Sequence, residues 1–344
     1  MKYFQNLFLI YALAAFPLAV EAQEPPSSNP PPIKSEALAE KVPAPSKELI
    51  TSTKPFDAVS QKQISEFLVN RSEKILHGND KQVRQATTDV LSVLRQSAAT
   101  PIFLRTCFDN LKSSVTTILA TDNSFRCINI LELVRWTQTP EAVDILIEQT
   151  TPSIQKNPSI RIGASRMLPS CIASAGLNAP QIDRAARRIR EASEEETQWI
   201  VSMHELQSVA ALVMIAQNPN KQDLKLEPQL KNARDEFLKI LAGTASKVSN
   251  PKLGGIDQIF ALQRGLIILR DILLKTPKDQ ITLVAVVIRP TTQMTTQLSS
   301  QIIADKNITN ESIKDSAKSA AITAGAINTL LGVKPSAPPA KTPA

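Results

Sequence analysis

Asp122-Asn123-Ser124-Phe125-Arg126 opens an amphipathic run, and the chain writes the same pattern twice more around it. Asp80-Lys81-Gln82-Val83-Arg84 precedes it and Asn157-Pro158-Ser159-Ile160-Arg161 follows it. Each copy has an Asp or Asn and, four positions later, an Arg preceded by an apolar residue. The arginines stand 42 and then 35 residues apart. That is the period of stacked helical hairpins, in which a repeat buries its apolar face only against its neighbours. Such a repeat constrains architecture more than chemistry.

Working outward, the punctuation is helical throughout. Thr100-Pro101, Thr139-Pro140, Asn157-Pro158 and Thr276-Pro277 each put a capping side chain before a proline at the first helical position, where its missing N–H costs nothing. Ser193-Glu194-Glu195-Glu196 reads as a capping box, and Gly78 and Gly176 as glycines that close helices. The nine glycines form no phosphate-cradling loop, and strand alternation is missing. The strand-like run Ile281 to Ile288 follows a helix start and reads as a buried helix. The spacing predicts hairpins 61–76 with 80–96, 101–119 with 124–137, 140–150 with 158–175, 180–192 with 194–217, 228–248 with 256–275 and 277–289 with 292–306. A last helix at 311–331, lined by Ala317, Ala320, Ala324 and Ile327, reads as a terminal cap.

Residues 60–176 resemble HEAT-like repeats. The likeness is carried by Val83-Arg84 with Ala86, Val90 and Leu91, by Phe125-Arg126 with Ile128 and Leu131, and by Ile160-Arg161 with Gly163, Ala164 and Leu168. Asp80, Asp122 and Asn157 can cap free N–H groups at their helix starts. Arg84, Arg126 and Arg161 can each pair with an acidic group at a turn, forming a ladder along the stack. From Gln181 onward the Arg signature stops, and Pro169 interrupts the third copy. The expected fold is therefore all-α, a right-handed α-solenoid of antiparallel hairpins over 56–176. Residues 177–331 either continue it or form a helical bundle. The resemblance implies interaction with protein rather than catalysis.

The two ends read differently. Lys2 followed by the apolar stretch Leu7 to Val20, shorter than the about 20 residues a membrane span needs, reads as a signal peptide over 1–22, cut near Ala22. Residues 23–55, with Pro30-Pro31-Pro32 and Pro43-Ala44-Pro45, read as a Pro-rich spacer, and 332–344 as a Pro/Ala tail. An extracytoplasmic protein, periplasmic or secreted, is expected. Tyr3 and Tyr11 both fall inside the leader, so the aromatic side chains beyond it are phenylalanines, Trp136 and Trp199. That scarcity argues against sugar platforms and single-strand nucleic-acid grooves, which rely on exposed aromatic faces. No nucleic-acid partner is expected.

Candidate chemistry is thin. Cys107, Cys127 and Cys171 occupy mismatched registers or are separated by a helix, so all three are expected as buried thiols. His77 and His204 belong to no metal-ligand spacing. No serine-nucleophile element exists, and no cofactor or catalytic residue is expected. The net charge of +7 suits an anionic partner as well as ordinary solubility. Its sharpest local expression is Arg184, Arg187, Arg188 and Arg190, the first three on one helix face. That face reads either as a docking patch or as a solvated surface offset by Glu194-Glu195-Glu196. The expected function is a non-enzymatic scaffold binding another protein through a helical-repeat surface. The alternatives are an anionic envelope polymer or membrane surface bound by the arginine face, and, further off, a glycan-active helical enzyme.

Overall fold

In the computed structural model, residues 42–217 and 226–332 are described. The stretches read from sequence as a leader over 1–22, a spacer up to residue 41 and a tail beyond Gly332 lie outside them. Among the described residues every regular element is helical. Thirteen α-helices follow one another. A short α1 (Lys47–Ile50) leads into α2 (Ala58–His77), α3 (Asp80–Leu94), α4 (Pro101–Leu119), α5 (Ser124–Trp136), α6 (Pro140–Thr150) and α7 (Pro158–Ser174). Then come α8 (Ala179–Glu195), α9 (Trp199–Ala216), α10 (Glu227–Val248), α11 (Gln258–Leu274), α12 (Lys278–Ala304) and α13 (Glu311–Leu330).

The helices start where capping chemistry dictates. Thr100, Thr139 and Asn157 each accept a hydrogen bond from a first-turn N–H and are each followed by a proline. Asn79 with Gln82, and Asn178 with Gln181, form reciprocal capping boxes. The caps of α3 and α5 are Asn79 and Asn123, one residue away from the expected Asp80 and from Asp122. Asp80 is the first helical residue of α3, and Asp122 takes a left-handed φ of 52° in the turn.

Four other expectations shift. Ser193-Glu194-Glu195 is the end of α8, because Ala192 and Ser193 are buried and carry that helix on. Thr276 donates to the Ile272 carbonyl and so extends the end of α11. Gly78 closes α2 in an extended conformation, φ −72°, whereas Gly176 is left-handed at φ 63°. The hairpin 277–289 with 292–306 is one helix of 27 residues running through Pro290. Proline removes one backbone donor, and the carbonyl it orphans belongs to exposed Val286, where water can satisfy it.

Packing follows the hairpin order. The pairs α2–α3, α4–α5, α6–α7, α8–α9, α10–α11 and α12–α13 pack together. The second helices also pack in unbroken succession, α3 on α5, α5 on α7, α7 on α9, α9 on α11 and α11 on α13. Among the first helices α2 packs on α4, α6 on α8, α8 on α10 and α10 on α12, while the ion pair Arg105 Nη1–Glu141 at 2.6 Å joins α4 to α6. Gly163 permits one of these approaches, since a Cβ there would sit 2.8 Å from Ile128. Trp199–Ala216 is long and apolar enough to cross a membrane, yet it packs against α7, α8, α10 and α11 and supplies core residues Val201, Leu206, Val209, Leu212 and Val213.

Residues 42–55, read from sequence as spacer, contribute to this body. Ile50 is buried and its carbonyl accepts from Thr100 N at 3.1 Å. Thr100 Oγ1 donates to the Ser52 carbonyl at 2.7 Å, and Arg71 donates to the Val42 carbonyl. Proline content hid a segment whose single buried isoleucine anchors it.

Cys107, Cys127 and Cys171 are buried free thiols. Burial pushes Cys127 up to about 11 and Cys171 up to about 12, and pushes Cys107 well above the usual thiol range. The purified protein should therefore titrate three thiols with a thiol-exchange reagent once denatured, and almost none while folded, since a thiol that stays protonated and enclosed reacts slowly. Detection of a single thiol in denatured, unreduced protein would overturn the packing of α4, α5 and α7.

Candidate interaction surface and its buried anchor

The repeat arginines do three different things. Arg84 is exposed on α3 with its guanidinium 5.2 Å from the Phe125 ring centroid. Arg126 donates to the carbonyls of Ile75 at 2.7 Å, Gly78 at 3.0 Å and Leu76. These belong to the end of α2, where the last carbonyls have no helical donor and the dipole is negative. Arg161 alone makes the expected carboxylate rung. Its Nε and Nη2 reach Glu196 at 2.8 and 3.2 Å, and its Nη1 holds the carbonyls of Gln155 and Lys156. Asn157 both caps α7 and donates to Ser124 Oγ in the previous hairpin. The ladder is one ion pair, one helix-end clasp and one ring contact.

The Arg161–Glu196 rung lies within a larger buried cluster that the sequence pattern did not reveal. Glu196 also accepts from Thr197 N and Gln198 N at 2.8 and 2.7 Å. Lys247, from α10, donates to the carbonyls of Ser193 and Glu196. Gln258, from α11, donates to the Thr197 carbonyl at 3.0 Å. Gly254, at φ 99°, passes so close to that same carbonyl that a side chain would collide with it. Glu205, in the second turn of α9, is 0 % exposed, and neither carboxyl oxygen has a hydrogen-bond partner among the described residues. Burial, reinforced by Glu196, pushes its carboxyl up to about 8, against the pull of Lys247 and Arg161. Burial likewise lowers Lys247. Sequence offered one signal, Glu205 as the one carboxylate in a helix with no Lys or Arg.

The arginine face of α8 is engaged within the protein. Arg184 reaches Asp144 at 3.0 Å, and Arg188 reaches Asp144 at 2.7 Å and Glu148 at 3.2 Å, all on α6. Arg190 pairs with Glu191, Glu194 and, on α10, Glu236. Arg187 is exposed and lies apart from these pairs.

A different surface emerges on the second helices. A set of side chains follows the second helices from α3 to α9: Arg84 on α3 and Arg95 just past its end, Phe125, Ile128, Glu132, Arg135 and Trp136 on α5, Arg166 and Ser170 on α7, and His204 and Gln207 on α9. Arg95 reaches across to Glu132 at 2.8 Å, and Arg135 bonds the same carboxylate at 3.0 Å and Ser170 at 2.7 Å. Both guanidiniums lie 4.8 Å from the Trp136 ring centroid, and the indole N–H donates to Glu132 at 3.0 Å. Stacked arginine on tryptophan is attracted by the ring quadrupole, so this cluster is held in place. Arg166 is exposed, and together with burial its charge lowers the neighbouring His204, whose bond to Gln207 pulls the other way. Glu132 is shared by two arginines, which leaves the row positive. Among the described residues no cluster of His, Cys, Asp and Glu has metal-binding geometry.

Urea denaturation of three variants should rank these contacts. Arg161→Ala strands a fully buried Glu196 and should cost about 3–5 kcal/mol. Arg126→Ala leaves α2 carbonyls unsatisfied and should cost about 1–3 kcal/mol, and Arg187→Ala should stay within about 0.5 kcal/mol. Equal midpoints for the first and last would show that Glu196 is not enclosed.

Glu205 gives a pH test. Its carboxyl holds a proton in the folded protein up to about 8, whereas an unfolded glutamate loses it near about 4.3. The stabilising contribution is thus complete below the unfolded value and is lost as pH rises through that window. Melting temperature should fall between about pH 5 and pH 8, and the fall should be shallower in Glu205→Gln, with wild-type-like slopes in the variant counting against it. Compared with protein-family models, with curated proteins and with solved structures, the chain matches none.

Proposed function

We propose that the chain is an exported, non-enzymatic scaffold of the HEAT-like, right-handed α-solenoid kind that binds another protein along its second helices. The observation that carries the reading is the row formed by Arg84, Arg95, Trp136 and Arg135, tied together across hairpins from α3 to α7, with exposed Arg166 on α7 continuing it. Large aromatic and arginine side chains, already fixed by their neighbours, are what interface centres are made of, because they lose little freedom on binding. The succession of second-helix contacts from α3 to α13 supports the repeat arrangement, since a solenoid needs each hairpin to lie on the next. The leader ending near Ala22 supports export. The positive character of the row favours a partner with an acidic contact segment.

The alternative, an anionic polymer or membrane surface held by Arg184, Arg187, Arg188 and Arg190, has less support. Carboxylates of α6, α8 and α10 already engage three of those arginines.

Affinity capture from an extracytoplasmic fraction tests the choice. The wild-type chain should retain a defined protein, Arg84→Glu combined with Arg166→Glu should lose it at least about tenfold, roughly 1.4 kcal/mol or more of binding free energy, and Arg187→Glu should retain it. Loss in Arg187→Glu with retention in the double variant would transfer the function to the α8 face. Binding of polyanion alone that collapses with salt would point the same way.

A further inference from the structure

Three triplets of the form Asn-x-Ser/Thr, with x other than proline, occur in the chain: Asn70-Arg71-Ser72, Asn307-Ile308-Thr309 and Asn310-Glu311-Ser312. On an exported chain such a triplet can accept a saccharide on the asparagine amide, provided that it lies at the surface. Triplets this short recur by chance. The fold sorts these three.

Asn70-Arg71-Ser72 lies inside α2, and its Arg71 and Ser72 are buried. Asn310 is the N-cap of α13, its Oδ1 accepting from Ser312 N at 3.0 Å, so its carboxamide already holds a helix start. Asn307 differs from both. It stands in the connection between α12 and α13, residues 305–310. Its backbone N–H donates to Asp305 Oδ1 at 2.8 Å, a local bond that fixes the turn. Ile308 packs against the hydrophobic core, whereas Asn307 and Thr309 on either side of it are exposed. Among the described residues no hydrogen bond engages either of those two side chains. Successive side chains of an extended segment alternate in direction. Here the alternation turns the middle residue inward and leaves the amide and the hydroxyl outside together, where one enzyme can grip both.

We propose that Asn307 is an N-glycosylation site. The donor is a saccharide carried on a lipid diphosphate, and the catalyst is a membrane-bound oligosaccharyltransferase met during export. Asn307 Nδ2 bonds to the sugar C1 as the bond from C1 to the diphosphate oxygen breaks. The diphosphate leaves with the electron pair, and the amide gives up one proton to a carboxylate of the transferase. An exposed loop takes a bulky, hydrophilic saccharide without unpacking a helix. This loop belongs to the last hairpin, while the second-helix row runs from α3 to α9, so the row stays open to a partner. The proposal rests on the export part of the functional reading and not on protein binding.

Mass spectrometry of the chain purified from the cells that make it is the test. The intact mass should show loss of a leader ending near Ala22 together with the added mass of a saccharide, and the peptide containing Asn307 should carry that addition. Asn307→Gln and Thr309→Ala should each abolish it with unchanged circular dichroism, while Thr309→Ser and Asn310→Gln should keep it. A chain that has lost its leader and is bare at Asn307 overturns the proposal and leaves export standing. A chain that keeps its leader and carries no saccharide overturns both. A saccharide on Asn70 or Asn310 in place of Asn307 overturns the assignment of the site.

Discussion

Everything from the third hairpin to the fifth is organised around the turn between α8 and α9. Arg161 grips it from α7 through the Glu196 carboxylate, Lys247 from α10 through two carbonyls, and Gln258 from α11 through a third. A turn would otherwise face water with its backbone groups. Here those groups are enclosed between neighbouring hairpins, Arg161 reaching in from the third and Lys247 and Gln258 from the fifth. A buried ion pair of this kind adds little net stability over a well-packed apolar pair, because both charges are stripped of water. What it adds is discrimination. A hairpin shifted by one helical turn would leave a buried guanidinium or carboxylate alone, so only one stacking register is tolerated.

Charge is sorted between the two layers of helices for related reasons. First helices carry both signs at close range, as in the exposed Arg105–Asp109 pair within α4 and the part-buried Arg188–Glu148 and Arg190–Glu236 pairs between helices, and an exposed pair of the first kind adds little stability. On the second helices the cations outnumber the anions, and the excess is stabilised by an aromatic ring and a shared carboxylate rather than by one-to-one pairing. The first arrangement uses its charges internally. The second holds them against a ring and a shared carboxylate and leaves the row with a net positive charge.

Much of the helical fold was legible because caps and prolines are local. Thr100-Pro101, Thr139-Pro140 and Asn157-Pro158 begin α4, α6 and α7 as written, and each expected helix up to residue 275 appears within a few residues of its bounds. Pro290 misled because a proline breaks a helix only where its neighbours cannot relieve it, and an exposed turn can. Ile50 was missed because one anchoring side chain does not register against a proline-rich background. The site was less legible still. The arginines at 84, 126 and 161 look identical in sequence, yet they meet a ring, a helix end and a carboxylate, since what an arginine finds depends on the hairpin beside it. Trp136 between Arg95 and Arg135 joins residues from two helices, and no spacing rule announces that.

The scarcity of aromatic residues has a practical consequence for following the molecule in solution. Among the described residues there is no tyrosine, and the two tryptophans sit in unlike settings. Trp136 on α5 is flanked by two guanidiniums, whereas Trp199 at the start of α9 packs 4.9 Å from Phe260 of α11. The two rings therefore sit as local probes in different hairpins. The first responds to whatever displaces the arginines on the early hairpins, and the second to loosening of the later ones.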